Sequence, residues 1–365
     1  MIFGPSKRNS SIDVRMSSSF YLAAYSDKKG SELPEFDEFI NYLGQYSLFR
    51  SNALTSDLYI SINHNKKLLK AFTNASISKR LRILIRLEPY CVYPKQYSHK
   101  IEALYDLIIT PGSVQDFKKG RDFIGFPHSI QPNPSQPSLI HNGHDLNFVI
   151  NSLDMNLNNW KKRQILCSMI AANKVSPVRD SNYSLRRTIA SKNKDNFLQI
   201  YGLLWRSSLK AKVLHRLKVL VFNLRSNTPI NIIEIYGKLF TSYSWAKGEV
   251  MNKYSISQNS KFSLVVENSN GYVSEKLFDA ILCGSVPIYI GPKLYKVGIP
   301  ENLAIELDSL DELSVSFLET FDDKSIEKYL QEGRRFLLSD TYSNNWQYSS
   351  VYQKIAALIS STTRA

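Results

Sequence analysis

Residues 261–292 of the chain read KFSLVVENSNGYVSEKLFDAILCGSVPIYIGP and carry, in order, the signals of a strand, a helix and a second strand. The apolar runs 262–266 and 286–290 are typical of strands. Between them, apolar residues recur at helical spacing, which predicts a helix that begins near Val273. The stretch therefore predicts one βαβ unit.

The same alternation of strand-like and helix-compatible segments extends along the rest of the chain. Further strand-like runs occupy 58–62, 81–87, 106–110, 165–171 and 197–201. Strands that alternate with helices predict parallel sheets with crossover connections. Between the two series, prolines cluster with polar residues, which excludes a helix or a central strand there. We therefore predict two α/β domains: 1–143, with a linker at about 127–143, and 144–365, which ends in helices.

The composition is that of a globular protein with a strong positive charge. The 46 lysines and arginines exceed the 32 aspartates and glutamates, which gives a net charge of +14. That excess favours an anionic partner such as phosphate, nucleic acid or an anionic membrane surface. The three cysteines are too few and too far apart for a disulfide framework or a zinc site. The sequence lacks a run of about 20 apolar residues and an apolar leader, so we expect a cytoplasmic protein.

Polar residues follow the strand at 262–266 at the point where the next helix begins. They are Asn268, Tyr272, Glu275 and Lys276. Ligands of open α/β sheets bind at the carboxyl ends of strands, and helix N-termini there attract phosphate groups. The alternative is that Glu275 only helps to start the helix and that Lys276 is solvated. The sequence contains no Walker phosphate loop, no Gly-x-Gly-x-x-Gly turn and no Asp-x-Asp metal motif.

The stretch 261–292 resembles the signature of the family 10 glycosyltransferases, the α-1,3/1,4-fucosyltransferases. The matching residues are 261–262, 267–269, 271–276 and 284–292. Ser274 stands where the family usually has threonine and keeps the hydroxyl group. Upstream, 169–174 and 183–187 resemble the family's strand and the helix after it, which bears an arginine. The resemblance is long in the second half of the chain and thin in the first.

This resemblance implies a GT-B-like fold, in which two Rossmann-like domains face each other across a cleft. It implies inverting transfer of L-fucose from GDP-fucose to a hydroxyl of an oligosaccharide or polysaccharide, with an α-1,3 or α-1,4 linkage. Glu88, in the segment Leu87-Glu88-Pro89, corresponds to the general base. The implied donor-binding residues are Asn173, Arg186, Lys253, Asn268, Tyr272, Glu275 and Lys276. No cofactor or bound metal is implied, and stimulation by a divalent cation is compatible with the resemblance.

Three alternatives stay open at this point. One is a glycosyltransferase of the same fold that uses a different nucleotide sugar. Another is a basic protein that binds nucleic acid or glycans without catalysis, although no nucleic-acid-binding motif is present. The third concerns the basic amphipathic segment 211–225, which is typical either of a helix on an anionic membrane surface or of an ordinary helix with a solvated basic edge. The membrane alternative would place the protein on the inner face of the membrane.

Overall fold

A computed structural model describes most of the 365-residue chain. The described residues are 18–24, 37–51, 55–65, 81–111, 123–126, 155–176, 178, 181–193, 197–206, 209–226, 243, 245–250, 252–271, 273–307 and 309–364.

The first unit contains a parallel sheet of six described strands. They are β1 (Ser18–Ala24), β2 (Leu48–Arg50), β3 (Leu58–Ile62), β4 (Leu81–Ile85), β5 (Leu107–Pro111) and β6 (Phe123–Phe126). The strand order is β2-β1-β3-β4-β5-β6. The three strands that the sequence predicts in this half correspond to β3, β4 and β5. Every residue of β3 is buried. Burial on both faces is the usual state of a strand inside a parallel sheet.

The second unit contains a parallel sheet of five described strands. They are β7 (Ile165–Ile170), β8 (Leu198–Tyr201), β9 (Ser260–Val266), β10 (Val286–Ile290) and β11 (Ile305–Glu306). The strand order is β11-β10-β9-β7-β8. The order reverses direction at β7 and β9, where a crevice opens at the carboxyl ends of the strands.

Helices connect and cover both sheets. Those described are α1 (Asp37–Gln45), α2 (His99–Glu102), α3 (Leu157–Lys161), α4 (Tyr183–Lys192), α5 (Leu209–Ser226), α6 (Lys253–Gln258), α7 (Glu275–Leu282), α8 (Val315–Glu319), α9 (Asp323–Leu337), α10 (Asp340–Asn345) and α11 (Tyr348–Arg364). None of the helices in the described part of the chain combines the length and the apolarity that crossing a bilayer requires. The expected cytoplasmic location stays a prediction.

The βαβ unit expected at 261–292 is β9-α7-β10. Its helix begins at Glu275, two residues later than the sequence predicts, because the side chain of Ser274 caps it by accepting a hydrogen bond from the backbone N–H of Lys276. Gly284 follows the helix with a φ of +65°. A side chain at that position would approach Nη2 of Arg163 within 2.7 Å, so both the backbone conformation and the space favour glycine.

The last helix, α11, packs against the first sheet rather than the second. Tyr352, Ile355 and Ile359 belong to the buried cluster that includes Phe39 of α1 and the inner residues of β1, β3 and β4. The sequence-based division placed every C-terminal helix with the second unit, and for α11 that placement is wrong. Helical periodicity identifies the apolar face of a helix but not the sheet that the face covers. The boundary near 143 and the linker at 127–143 lie outside the described residues.

The two units touch through the segment that follows β4. The thiol of Cys91 donates to the carbonyl oxygen of Asn268 at 3.4 Å, and the hydroxyl of Ser176 donates to the carbonyl oxygen of Cys91 at 2.6 Å. Cys91 belongs to the first unit, whereas Ser176 and Asn268 follow β7 and β9 of the second. The carboxyl ends of β4, β7 and β9 therefore meet at one place.

Candidate active site

A cavity of about 530 Å³ lies where the two units meet. Leu87, Glu88 and Val92 of the first unit form part of its wall. The second unit contributes the ends of β7 and β9 and the starts of α4 and α7, including Lys174, Tyr183, Arg186, Asn268, Glu275 and Lys276. We call this space the interdomain cavity. It brings together the residue expected to act as base and most of the residues expected to bind the donor.

Arg186 lies on α4 and is 2% exposed. Its Nη2 donates to the carbonyl oxygen of Val266 at 2.6 Å and to Oδ1 of Asn268 at 2.9 Å. The guanidinium carbon lies 4.8 Å from the ring centre of Tyr183. Burial lowers the pKa of Arg186, while Tyr183 and Glu267 act in the opposite direction. The Nε atom is buried without a hydrogen-bond partner among the described residues, so one strong donor on this wall is unsatisfied.

Glu275 and Lys276 occupy the first two positions of α7. Nζ of Lys276 donates to Oγ of Ser274 at 2.9 Å and lies 3.4 Å from Oε1 of Glu275. About a quarter of each side chain is exposed, so both remain accessible from the interdomain cavity. The start of a helix also presents backbone N–H groups and a positive partial charge. A cation and a helix N-terminus at one point favour an anionic ligand group.

Glu267 is a residue of this site to which the sequence analysis gave no role. It is fully buried, and its Oε1 accepts a 2.8 Å hydrogen bond from the backbone N–H of Ser274. Burial raises the pKa of Glu267, and the positive charge of Lys276 acts against that rise. Glu267 thereby holds the loop that positions Ser274 and Lys276. The position of Glu267, a carboxylate directly after a buried strand, is the sequence feature that could have identified it.

Glu88 lies three residues beyond β4 in a segment without regular secondary structure. Burial raises the pKa of its carboxyl group, Lys174 and Lys276 lower it, and Glu275 adds to the rise. A carboxylate with a raised pKa at the wall of a cavity is suited to accept a proton. Lys174, which the sequence analysis also left without a role, follows β7 and is exposed at the cavity.

The remaining predicted donor-binding residues differ in their surroundings. Lys253 lines the interdomain cavity but is held by Asp279, with 2.6 Å between Nζ and Oδ2. Burial lowers the pKa of Lys253, but Asp279 and Glu275 outweigh that effect and raise it. The side chain of Asn173 donates to the carbonyl oxygen of Leu204 at 3.3 Å, and Asn173 is not among the residues that line the cavity. Tyr272 lies outside the described residues.

The chemistry available in the cavity is that of fixed cations beside carboxylates. The described residues contain no group of three or more His, Cys, Asp or Glu side chains arranged to hold a metal ion. Arginine binds a phosphate through two parallel hydrogen bonds, and lysine binds it as a point charge. The arrangement can therefore bind a diphosphate on the second unit and present a base from the first.

A known family model matches most of the second half of the chain. Residues 202–353 match the model of "Glycosyltransferase family 10 (fucosyltransferase) C-term". The match includes β9, α7 and β10, and it confirms the resemblance that the sequence analysis drew from 261–292. None of the curated proteins matches the chain.

Solved structures share the fold at low sequence identity. A crystal structure of an α1,3-fucosyltransferase is 17% identical, with 96% of this chain and 91% of that chain covered and a TM-score of 0.54. An α1,3-fucosyltransferase with GDP-fucose is 16% identical, with 98% and 93% covered and a TM-score of 0.51. The Anabaena protein HepE in complex with UDP and glucose is 11% identical, with 94% and 100% covered and a TM-score of 0.51. These similarities confirm the GT-B-like fold.

Proposed function

Residues 202–353 of this chain match the model of glycosyltransferase family 10, and from that premise we propose that the protein transfers L-fucose from GDP-fucose to a glycan hydroxyl. The observation that carries the proposal is the shared wall of the interdomain cavity. Glu88 comes from the first unit, whereas Arg186 and Lys276 come from the second, and all three line the same space. Glycosyl transfer from a nucleotide sugar requires a base and a set of phosphate-binding cations around one cavity.

The reaction follows from the chemistry of these side chains. The carboxylate of Glu88 removes the proton of the acceptor hydroxyl. At the same time, the oxygen of that hydroxyl bonds to C1 of the sugar from the face opposite the leaving group. The bond between C1 and the phosphate oxygen breaks, and its electron pair leaves with GDP. Attack from the opposite face inverts the configuration at C1.

The departing GDP gains negative charge and needs stabilisation more than it needs a proton. Arg186 and Lys276 are fixed cations on the cavity wall, and the N–H groups at the start of α7 add donors beside Lys276. The protein's own cations supply this stabilisation in the proposed mechanism, with no cofactor. Addition of EDTA to the assay measures whether a divalent cation contributes.

The donor sugar rests on the family assignment. One similar structure contains GDP-fucose, whereas another of the same fold contains UDP and glucose. The same fold with a different nucleotide sugar is therefore the alternative that the experiment must exclude. The acceptor that we propose is an oligosaccharide or polysaccharide in α-1,3 or α-1,4 linkage, as in cell-surface polysaccharide synthesis or protein glycosylation.

A donor panel tests the proposal. The protein is incubated with GDP-fucose, GDP-mannose or UDP-glucose and an array of acceptor glycans, and the products are read by mass spectrometry. We expect a mass increase of one deoxyhexose with GDP-fucose and none with the other donors. The Glu88→Gln variant, which keeps the shape of the side chain, should form no product above background. Product formation with UDP-glucose alone would contradict the proposed donor.

A second observation favours contact of helix α5 with an anionic membrane surface. Leu214, Leu217 and Val221 recur at helical spacing and are 51%, 50% and 44% exposed, whereas Arg216 is buried. Arg216 therefore does not contribute to the solvated basic edge expected for an ordinary helix, and the three apolar side chains face outward. The helix sequence contains lysines and arginines and no acidic residue. Exposed apolar side chains beside basic residues favour an anionic bilayer as the partner.

Vesicle co-sedimentation tests this contact. We expect the protein to sediment with phosphatidylglycerol vesicles and not with phosphatidylcholine vesicles, and the L214S/L217S variant to lose that binding. The matched control is Leu338→Ser, since Leu338 is 44% exposed on another surface. Undiminished binding by L214S/L217S, or a concentration-dependent dimer abolished by it, would contradict membrane contact. If the basic charge served nucleic acid rather than a membrane, the protein would bind nucleic acid with an affinity that falls steeply as the salt concentration rises.

A further inference from the structure

We propose that Asn63 is a positioning residue that fixes Glu88 for proton transfer, an inference that rests on the proposed function. Asn63 directly follows β3, and Glu88 lies beyond the end of the neighbouring strand β4. Asn63 belongs to none of the sequence motifs described above. The side chain of Asn63 and the backbone of Glu88 form a hydrogen-bonded cluster at the carboxyl end of the first sheet.

The cluster holds both backbone groups of Glu88. Oδ1 of Asn63 accepts from the backbone N–H of Leu87 at 2.9 Å and from that of Glu88 at 3.2 Å. The carbonyl oxygen of Glu88 accepts from Nε2 of Gln96 at 3.0 Å and from the hydroxyl of Tyr97 at 2.9 Å. Nε2 of Gln96 also donates to Oδ1 of Asn63 at 3.3 Å, which closes the cluster. The segment that carries Glu88 has no regular structure, but these hydrogen bonds hold its backbone N–H groups and its carbonyl oxygen in place.

The backbone of Asn63 is held in an uncommon conformation. Its φ is +53°, in the left-handed region that asparagine tolerates better than most residues. Its N–H donates to the carbonyl oxygen of Ile85 at 2.8 Å, and its carbonyl oxygen accepts from the hydroxyl of Ser61 at 2.6 Å. Gln96 is fully buried, so the amide that completes the cluster is also fixed. The surroundings of Asn63 therefore keep Oδ1 directed at the segment that carries Glu88.

Precise placement of a base is worth a large factor in rate. A displacement of about 1 Å can reduce turnover roughly 100-fold. Donor binding should not depend on Asn63, because Arg186 and Lys276 belong to the other unit. Loss of the Asn63 side chain should therefore lower kcat and leave the affinity for GDP unchanged.

The test compares two substitutions at this position in the full chain. Asn63→Gly removes the acceptor oxygen and tolerates the positive φ, so backbone strain is not added. Asn63→Asp keeps an acceptor oxygen at the same distance along the side chain. We expect Asn63→Gly to lower kcat by at least about tenfold with an unchanged Kd for GDP. We expect Asn63→Asp to recover most of the rate and to move the acid limb of the pH profile upward, because a second carboxylate opposes ionisation of Glu88.

A third variant keeps the inference testable if substitution of Asn63 unfolds the protein. Tyr97→Phe removes only the hydroxyl that donates to the carbonyl oxygen of Glu88, and we expect kcat to fall about fivefold. Tyr329→Phe, on α9, serves as the matched control and should retain the wild-type rate. Wild-type kcat in Asn63→Gly or in Tyr97→Phe, or a parallel loss of GDP binding, would overturn the inference. Failure of the wild-type protein to transfer fucose would instead refute the proposed function itself.

Discussion

Nη2 of Arg186 donates a 2.9 Å hydrogen bond to Oδ1 of Asn268, and this contact ties α4 to the loop after β9. The same nitrogen atom holds the carbonyl oxygen of Val266 at the end of β9. The guanidinium is therefore fixed on the cavity wall without a ligand. A preorganised cation loses little flexibility when the diphosphate binds, which favours both affinity and stabilisation of the leaving group.

Arg186→Lys should weaken GDP binding and fucose transfer while the positive charge is kept. Lysine cannot reproduce the planar group that contacts two acceptors at once. We expect kcat/KM for GDP-fucose to fall by at least about tenfold, measured as initial rates over a range of donor concentration.

The neighbouring arginine provides the control for that measurement. Arg187 is also buried, but its Nη1 donates to the carbonyl oxygen of Lys174, and it does not line the interdomain cavity. Arg187→Lys should change the melting temperature more than the affinity for GDP. An equal loss of GDP affinity in both variants would mean that burial, and not phosphate contact, explains the effect of Arg186.

Lys276→Met should reduce turnover more than it reduces donor binding. Removal of a fixed cation near charge that develops in the transition state costs on the order of 3 kcal/mol, or roughly 100-fold in rate. Steady-state kinetics with GDP-fucose measures both parameters. Lys328→Met, at an exposed position on α9, should match the wild type. A rise in KM at unchanged kcat would assign Lys276 to ground-state binding alone.

Local sequence patterns were sufficient for much of the secondary structure. The strands at 58–62 and 286–290 have the predicted bounds because each apolar run ends at polar or turn residues. Strand β1, at Ser18–Ala24, was not predicted, since a run of three serines before its apolar residues gives a weak pattern. The placement of α11 on the first sheet depends on contacts between segments that are distant in sequence, which periodicity does not encode.

The site was predictable where one contiguous motif carries it. Glu275 and Lys276 lie within the stretch 261–292 and line the cavity as that motif implied. Lys174 lines the same cavity because it follows β7, and Asn63 contacts the backbone of Glu88 because β3 and β4 are neighbours in the first sheet. A residue beyond a strand becomes recognisable only once the strand order is known. Asn173 was expected at the donor, but its amide is engaged by the carbonyl oxygen of Leu204.

The pH profile of transfer should reflect the surroundings of Glu88. The carboxyl group must be ionised to accept a proton, so activity falls as the pH falls through its pKa. Burial raises that pKa, and the acid limb of kcat/KM should lie above the ordinary value for glutamate. Lys174 opposes the rise, so Lys174→Met should move the limb to higher pH, whereas Lys328→Met should not move it. A shift to lower pH in Lys174→Met would contradict the assignment of Glu88 as base.

Glu267→Gln should make stability less dependent on pH. Burial raises the pKa of Glu267 in the folded protein, so the unfolded chain loses this proton first as the pH rises. Wild-type stability therefore falls from the ordinary carboxyl pKa up to the raised folded value. Glutamine has no proton to lose and keeps an acceptor for the N–H of Ser274. The melting temperature of the variant should exceed that of the wild type by a margin that grows with pH. A margin that shrinks with pH would refute a raised pKa of Glu267 in the folded protein.

Calorimetric titration of the wild-type protein with GDP and with GMP tests the central claim most directly, because the two ligands differ only in the second phosphate. If Arg186 and Lys276 bind the diphosphate, GDP should bind at least about tenfold more tightly than GMP, and Lys276→Met should remove most of that difference. Equal affinities for GDP and GMP, or an undiminished preference for GDP in Lys276→Met, would contradict the account.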